Sequence, residues 1–336
     1  MSNKKHNTII IAEIGVNHNG SLKKAKQLAL KAKNIGADIV KFQLYDTEFL
    51  AIKNLPMAKY QIKNFKKSLT QYQMLKKYEI SFKEAQELIK FCVKRNIQIT
   101  FSCFDEISIN IFKSKYIKFI KIPSGEINNL YLLKKLSSFK KKFILSTGNS
   151  KEIEIKEAIK TLNKNFSKNI TLLHCISDYP ALEEDMNLKT IPYLRKTYNL
   201  DIGLSDHSNS IDIPSIAIAL GAKIIEKHIT DNNNQKGPDH KASLNFIDFK
   251  KMVKKIRSTE KILGIYKKKI SVNELKNKDL VRKFIVAKKP INRGEKFSNN
   301  NITTKRSGKG IPANMYYKTI GLIAKKRFLI DEVITL

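Results

Sequence analysis

Two histidines in the second half of the chain have a spacing that suits metal chemistry. His207 ends a Ser-Asp-His triplet and His228 ends a Glu-Lys-His triplet, and each triplet closes an apolar segment. Imidazole nitrogens bind divalent transition metals, and two of them leave positions open for water or a substrate carbonyl. The pattern therefore predicts a metal site held by His207 and His228. The alternative is two unrelated histidines, one capping a loop and one packed in the core.

Lysines and hydroxyl groups form a second candidate set. Lys41 and Lys121 also end apolar segments, where a buried ammonium is unfavourable unless an anion meets it. The hydroxyls at comparable places are Ser102, Ser124, Ser146 and Thr147. This set predicts a pocket for phosphate or carboxylate. The alternative is that both lysines form salt bridges with nearby carboxylates, such as Glu13, Glu126 or Asp206.

A third set is acidic and consists of Glu13, Glu126, Asp206 and Asp239. Carboxylates beside a cationic pocket can activate water or hold sugar hydroxyls. Each of them could equally be the structural partner of a lysine.

Eight apolar, β-branched segments carry these residues at their carboxyl ends, and most are followed by a stretch with helical apolar spacing. The predicted strands are Thr8–Glu13, Asp38–Gln43, Gln98–Cys103, Ile117–Ile122, Lys142–Thr147, Ile170–Cys175, Asp201–His207 and Lys223–His228. Buried parallel strands with polar carboxyl ends are typical of a (β/α)8 TIM barrel, whose active site lies at that mouth. We therefore expect the three sets to converge there.

The predicted helices have apolar residues at helical spacing and often follow a capping Ser, Asn or Asp. They are Leu22–Asn34, Ser81–Arg95, Glu106–Phe112, Glu152–Leu162, Leu188–Tyr198, Ile211–Leu220 and Asn245–Leu263. The connection from Leu44 to Ile97 is unusually long for a barrel loop, which is typical of a lid or a substrate loop.

Composition narrows the class of protein. The formal net charge is +34, but only seven of the 64 basic residues are arginine, and no nucleic-acid-binding motif is present. No apolar run reaches the length of a membrane span, and the polar start contains no signal-peptide segment. We expect a cytoplasmic protein with no nucleic-acid or membrane partner. Cys92, Cys103 and Cys175 lack metal-binding spacing and are expected to be buried thiols.

The rhythm of the sequence changes after Gly264. A polar, lysine-rich stretch is followed by short strand-like segments separated by turns, which predicts a small second module. The expected organisation is a barrel over residues 1–265, a linker over 266–282 and a small domain over 283–336.

Seven stretches in order along the chain resemble the motifs of the sialic acid synthase family. They are Ala12–Gly20, Val40–Gln43, Lys121–Glu126, Leu145–Gly148, Gly203–His207, Glu226–His228 and Gly237–Asp239. Thr303–Arg306 and Gly310-Ile311 are similar to the antifreeze-protein-like (SAF) domain that ends members of this family. The resemblance covers almost the entire chain.

The resemblance implies a metal-dependent condensation of phosphoenolpyruvate with an N-acetylated mannosamine sugar, which gives a nine-carbon 2-keto acid and phosphate. His207 and His228 match the ligands of Mn²⁺, with Mg²⁺ or Co²⁺ as alternatives, and Glu13 is expected to orient or activate the water that adds at C2. The matches to the phosphoenolpyruvate site are Lys41, Ser102, Lys121, Ser124, Ser146 and Ser205. The matches to the sugar site are Gln43, Glu126, Tyr179, Asp239 and Arg306. Ser177 is a further expected sugar-side residue, although the family commonly has Asn or Thr at this position.

The same resemblance bears on quaternary structure and on the sugar. In the family, the arginine that matches Arg306 comes from the small domain of a neighbouring subunit, so a domain-swapped homodimer is implied. The motifs are closer to those of N-acetylneuraminate and N,N'-diacetyllegionaminate synthases than to those of pseudaminate synthases. We take N-acetylmannosamine as the expected sugar, with 2,4-diacetamido-2,4,6-trideoxymannose as the alternative.

Overall fold

A computed structural model describes residues 8–58, 61–62, 69–162 and 169–336 of the chain. The chain divides into two compact units, Met1–Gly264 and Ile265–Leu336. Parts of the long connection, residues 59–60 and 63–68, lie outside the described residues.

The first unit is the predicted TIM barrel. Its parallel strands pair in sequence order, and the first also pairs with the eighth, which closes the barrel. The strands are β1 Ile9–Gly15, β2 Ile39–Leu44, β3 Gln98–Cys103, β4 Phe119–Ile122, β5 Lys142–Ser146, β6 Ile170–Cys175, β7 Asp201–Asp206 and β8 Ile224–Thr230. A two-residue strand, β9 Leu244–Asn245, extends the sheet beside β8. The predicted fold class is confirmed.

Helices surround this barrel. They are α1 Leu22–Asn34, α2 Thr47–Leu50, α3 Gln71–Tyr78, α4 Phe82–Lys94, α5 Leu130–Leu136, α6 Glu152–Leu162, α7 Thr190–Tyr198, α8 Ile213–Ala219 and α9 Phe246–Leu263. Short 3₁₀ helices cover Ser108–Lys113, Ser124–Glu126, Glu184–Met186 and His240–Ala242. In the described part of the chain, no helix is long and apolar enough to cross a membrane.

The helix expected at Glu106–Phe112 is wrong in type, because the structure has a 3₁₀ helix at Ser108–Lys113. The Asp105 carboxylate accepts hydrogen bonds from the Ile107 and Ser108 amides and holds this segment in a tight turn. Helix α5 was not predicted. Its seven residues are too few for a clear helical period.

The alternation of side chains along the strands separates two cores. A small apolar cluster lies inside the barrel and contains Ile11, Ile39, Ile144, Leu173 and Ile224. The larger core lies between the outer face of the sheet and the helices. Because successive strand residues point to opposite faces, residues two positions beyond the inner apolar cluster also point into the barrel, at its carboxyl end.

The second unit has its own small core. Strand β10 Phe284–Ala287 pairs antiparallel with β11 Ile302–Lys305, and a short helix, α11, covers Tyr316–Thr319. Buried apolar residues include Ile285, Phe297, Phe328 and Ile334. The stretch predicted as a linker contains helix α10 Val272–Val281, which begins at a capping box formed by Ser271 and Glu274.

Candidate active site

A cavity of about 490 Å³ opens at the carboxyl ends of the barrel strands. This volume is within the range of ordinary small-molecule sites. Twelve of the predicted site residues line it: Glu13, Lys41, Gln43, Ser102, Lys121, Ser124, Ser146, Ser177, Tyr179, Ser205, His207 and His228. The strand residues among them come from seven different strands, as expected for a TIM-barrel site.

The two lysines lie side by side with two carboxylates. Lys41 Nζ is 2.6 Å from Glu13 Oε2 and 3.7 Å from Glu226 Oε1, and Lys121 Nζ is 3.5 Å from the same Glu226 oxygen. All four side chains are almost fully buried. Both lysines therefore form internal salt bridges, as the alternative interpretation of the sequence expected. Their partners are Glu13, which was named there, and Glu226, in place of Glu126 or Asp206.

Two lysines and two glutamates would have no net charge if all four were ionised, but the pKa values of the carboxyl groups are shifted. Burial raises the pKa of Glu13 to about 7, although the nearby Lys41 ammonium opposes that shift. Burial also raises the pKa of Glu226, but the Lys121 and Lys41 ammonium groups outweigh it and hold that pKa below its usual value. Burial lowers the pKa of Lys121, although the Glu226 carboxylate opposes that shift. Where both lysines are protonated, partial protonation of Glu13 leaves the four groups with an excess of positive charge, which favours an anionic ligand.

Each lysine also donates to a serine hydroxyl. Lys41 Nζ donates to Ser102 Oγ and Lys121 Nζ donates to Ser146 Oγ, both at 2.8 Å. A hydroxyl that accepts from an ammonium keeps its own proton to donate. Two ammonium groups and two polarised hydroxyls thus face one cavity, a donor set that suits phosphate or carboxylate oxygens.

Ser205 and Ser124 are engaged differently. Ser205 Oγ donates to Glu226 Oε1 at 3.0 Å, so its proton is already used within the protein. Ser124 Oγ accepts from the Gly148 amide at 3.0 Å. Ser124 therefore keeps its proton, as Ser102 and Ser146 do, whereas the Ser205 hydroxyl has already donated its proton to a protein group.

The two histidines meet at the same rim. Their ring centroids are 5.4 Å apart, and Tyr179 stacks on His207 with centroids 4.1 Å apart. His207 Nδ1 lies 2.7 Å from the Ile176 carbonyl, which can only accept, so Nδ1 carries a proton. Burial lowers the pKa of His207, but the neighbouring Cys175 and the hydrogen bond to Ile176 outweigh it and hold that pKa above its usual value. In the neutral form of the ring, Nε2 holds the lone pair. This tautomer is the one that a metal ligand needs.

His228 is suited to the same role. Burial, with the nearby His207 and lysine charges, holds its pKa well below the usual value, so its ring is neutral. Its Nδ1 atom is buried without a hydrogen-bond partner among the described residues, and Asp239 Oδ2 is 3.9 Å away. Across the described ranges, no group of three or more His, Cys, Asp or Glu side chains could hold a metal. Two neutral imidazoles at one rim could act as two ligands of a divalent ion, and its other positions would be open to water or substrate.

A side chamber of about 100 Å³ adjoins His228. Apolar and aromatic residues form much of its wall, including Val16, Tyr45, Met74 and Leu75, and Asp239 also lines it. Burial raises the pKa of Asp239 to about 6. The chamber offers space for an apolar substituent next to a carboxylate.

Asp206 and Thr147 are wrong as predicted site residues, and strand alternation explains both. Asp206 and Thr147 point away from the cavity: Asp206 pairs with fully buried Lys227 at 2.7 Å, and Thr147 donates to the Leu173 carbonyl. Each lies one residue beyond an inward serine, so its side chain faces the helices. Glu126 is not among the cavity-lining residues and accepts from Asn129. Arg306 is exposed in the second unit, directly after β11.

The sequence analysis missed Glu226 as a site residue. It lies two positions before His228 on β8, so the two side chains share the inner face. That parity was the signal that could have identified it. Asn128, Asn149 and Glu154 also line the cavity from loops and a helix start, where no periodic pattern indicates direction.

Comparison with known proteins agrees with this architecture. The model of the NeuB family matches residues 28–268, and the model of the SAF domain matches residues 282–336. The first match covers most of the barrel, and the second covers most of the second unit.

Two relatives align over nearly the full length. The N,N'-diacetyllegionaminic acid synthase of Campylobacter jejuni is 46% identical over 329 residues, which cover 97% of this chain and 98% of the relative. The enzyme of the same name from Legionella pneumophila is 39% identical over 93% of this chain and 89% of its own length.

A solved structure is similar to the chain with lower identity. The N-acetylneuraminic acid synthetase of Leptospira borgpetersenii superposes with a TM-score of 0.71 and 31% identity, over 83% of this chain and 95% of that one. The relatives that make legionaminic acid are thus more similar in sequence than this sialic acid enzyme.

Proposed function

The chain belongs to the NeuB family, and from this premise we propose that it is a transferase that condenses phosphoenolpyruvate with 2,4-diacetamido-2,4,6-trideoxymannose to give N,N'-diacetyllegionaminic acid and phosphate. The observation that carries the reaction is the convergence of Lys41 and Lys121 with His207 and His228 at one barrel rim. The sugar is the alternative named in the sequence analysis. It replaces N-acetylmannosamine because both synthases with 39% and 46% identity make the legionaminic product.

The anionic donor fits the cationic side of the cavity. Lys41 and Lys121, with the hydroxyls of Ser102 and Ser146, bind the phosphate and carboxylate of phosphoenolpyruvate. His207 and His228 hold a divalent ion, proposed to be Mn²⁺, which supplies a Lewis acid for the sugar aldehyde when bound. Gln43, Tyr179 and Asp239 lie on that side of the cavity or in its side chamber, where they bind the amino sugar.

The chemistry then follows from these positions. A bond forms between C3 of phosphoenolpyruvate and the aldehyde carbon, and the aldehyde oxygen takes a proton to become a hydroxyl. Water adds at C2 of the resulting cation, and Glu13, whose carboxylate is buried beside Lys41, orients that water and takes its proton. The C2–O bond to phosphate then breaks, the new C2 hydroxyl gives up its proton to the leaving phosphate, and the products are phosphate and the 2-keto acid.

A phosphate-release assay with two sugars tests the proposal. With Mn²⁺ and phosphoenolpyruvate, we expect kcat/KM for 2,4-diacetamido-2,4,6-trideoxymannose to exceed that for N-acetylmannosamine by about tenfold or more, because a pocket that binds an acetamido group discriminates against a hydroxyl. The side chamber beside His228, with a volume of about 100 Å³ and a partly apolar wall, is the proposed place for the methyl end of this acetamido group. A preference for N-acetylmannosamine would restore the first choice of sugar, and release with neither sugar would contradict the reaction.

We also propose that the active enzyme is a homodimer in which Arg306 of each subunit completes the sugar site of its partner. A guanidinium is suited to this role because its planar donors match a carbonyl or carboxylate. Arg306→Ala and Lys121→Met are each expected to be nearly inactive alone. When the two are co-expressed, mixed dimers hold one intact site, so activity returns to about a quarter of the wild-type value. Absence of recovery in verified mixed dimers would rule out the exchange.

A further inference from the structure

Asn17 lies in the loop after β1 and is completely buried, although it is not among the residues that line either cavity. Its side-chain nitrogen makes two hydrogen bonds to residues more than 200 positions later in the chain, on β8 and in the loop that follows it. Asn17 Nδ2 donates to the Ile229 carbonyl at 2.9 Å and to Ser243 Oγ at 2.8 Å. The role of this asparagine is not explained by the reaction described above.

The direction of these hydrogen bonds is fixed by chemistry. The Ile229 carbonyl can only accept, so the amide nitrogen of Asn17 must face it. The single proton of Ser243 Oγ is donated to the Asp239 carbonyl at 2.6 Å, so Ser243 must accept from Asn17. A continuous chain therefore runs from Asn17 through Ser243 to Asp239.

The two branches reach two functional residues. Ile229 directly follows His228, so the first branch fixes the end of β8 at a metal ligand. The second branch fixes the backbone of Asp239, whose carboxylate lies 3.9 Å from His228 Nδ1. One buried amide thus connects the strand that carries the histidine to the loop that carries the aspartate.

The same loop has a second, separate attachment. His240 Nδ1 lies 2.7 Å from Thr230 Oγ1, and His240 Nε2 lies 3.1 Å from Asn19 Oδ1. These contacts hold the loop near the barrel without passing through Ser243. Loss of the Ser243 hydroxyl is therefore expected to shift Asp239 locally and to leave the loop folded.

We propose that Asn17 is a positioning residue that sets Asp239 and His228 relative to each other through Ser243 and Ile229. The proposal rests on the proposed function, because it takes the amino sugar as the ligand of Asp239 and the divalent ion as the ligand of His228. Outer partners of this kind commonly change metal affinity or activity by 10- to 100-fold when removed.

Two substitutions separate the branches. Ser243→Ala removes the branch that runs from Asn17 through Ser243 to Asp239 and leaves the bond from Asn17 to the Ile229 carbonyl. KM for the sugar is therefore expected to rise about tenfold, while KM for phosphoenolpyruvate and the affinity for Mn²⁺ stay at wild-type values. Asn17→Ala removes both branches, so KM for the sugar rises and the dissociation constant of Mn²⁺, measured by electron paramagnetic resonance without substrates, also rises about tenfold. Ser243→Thr keeps the hydroxyl and is expected to restore most of the affinity for the sugar.

Ser108→Ala is the matched control. Ser108 Oγ is buried and donates to Asp105 Oδ2 at 2.6 Å, the same distance as the bond from Ser243, but Ser108 does not line the cavity. It is expected to lower thermal stability as Ser243→Ala does and to leave all three constants unchanged.

The outcomes distinguish the two proposals. If Ser243→Ala changes stability alone, or raises both KM values equally, Asn17 and Ser243 are structural and the positioning role is wrong. If Asn17→Ala does not fold, Ser243→Ala and Ser243→Thr still decide the branch to Asp239. A wild-type protein that turns over neither sugar contradicts the proposed function, whereas an unchanged Mn²⁺ affinity in folded Asn17→Ala contradicts only the branch to His228.

Discussion

Replacing Lys121 with methionine is expected to lower kcat/KM for phosphoenolpyruvate by about 10²- to 10³-fold. Lys121 is buried at the cavity wall, 3.5 Å from Glu226 and 2.8 Å from Ser146 Oγ. Without it, the donor anion meets Glu226 with one compensating ammonium fewer, and Ser146 loses the group that polarises its hydroxyl. Removing one partner of a buried charged contact costs about 2 to 5 kcal/mol, and each 1.4 kcal/mol is a factor of ten.

Lys118→Met is the control for this substitution. Lys118 immediately precedes the same strand, β4, but lies exposed and does not line the cavity. It removes the same charge from a protein of net charge +34, so it reports any effect of the general positive field on anion capture. Equal losses in the two variants would mean that the field, and not the local contact, binds the donor.

The barrel could be predicted because the same pattern, an apolar run followed by a helical stretch, occurs repeatedly along the sequence. Strands β3 and β6 begin and end at the predicted residues, and no end of the other strands differs from its prediction by more than two residues. Eight buried parallel strands give eight apolar runs, and an error at one strand end does not alter the topology. The 3₁₀ helix at Ser108–Lys113 lacked such redundancy, because the Asp105 side chain determines it locally.

The direction of site side chains was less predictable than their position along the chain. The predicted sets mixed inward residues such as Ser205 with outward ones such as Asp206, although a strict period of two separates them. The apolar interior residue Ile224 fixes the parity of β8 and indicates that Glu226 and His228 point inward while Lys227 points outward. The register of the strands then brings Glu13 level with both Lys41 and His228.

Pairing between charged residues could not be predicted from the sequence. A lysine at a strand end has the same spacing whether it meets a ligand or a protein carboxylate. The structure shows that both lysines share Glu226, and that burial raises the pKa of Glu13 to about 7. These facts depend on distances of a few ångströms between different strands.

Replacing His207 with asparagine is expected to weaken Mn²⁺ binding strongly and to lower kcat by about 10³-fold, since a Lewis acid contributes several kcal/mol to such a reaction. Asparagine is chosen because its amide nitrogen can still donate to the Ile176 carbonyl, as His207 Nδ1 does at 2.7 Å. The substitution therefore removes the Nε2 lone pair and keeps the contact that orients the side chain. Electron paramagnetic resonance titration with Mn²⁺ measures the binding, and the phosphate-release assay measures kcat.

His174→Gln is the control for His207→Asn. It shows whether the loss of Mn²⁺ binding is specific to a histidine that lines the cavity or follows the replacement of any buried histidine at this end of the barrel. His174 lies near the end of β6, is buried, and contacts the Met186 carbonyl through Nε2 at 2.7 Å, but it faces away from the cavity. Glutamine keeps a donor near that position, so we expect Mn²⁺ affinity and kcat to remain close to wild type. If His174→Gln weakened Mn²⁺ binding as much as His207→Asn, the effect would come from the strand ends in general. His207 and His228 are the two histidines that line the cavity. They are supported as the metal ligands only if His207→Asn and His228→Gln both weaken Mn²⁺ binding and His174→Gln does not.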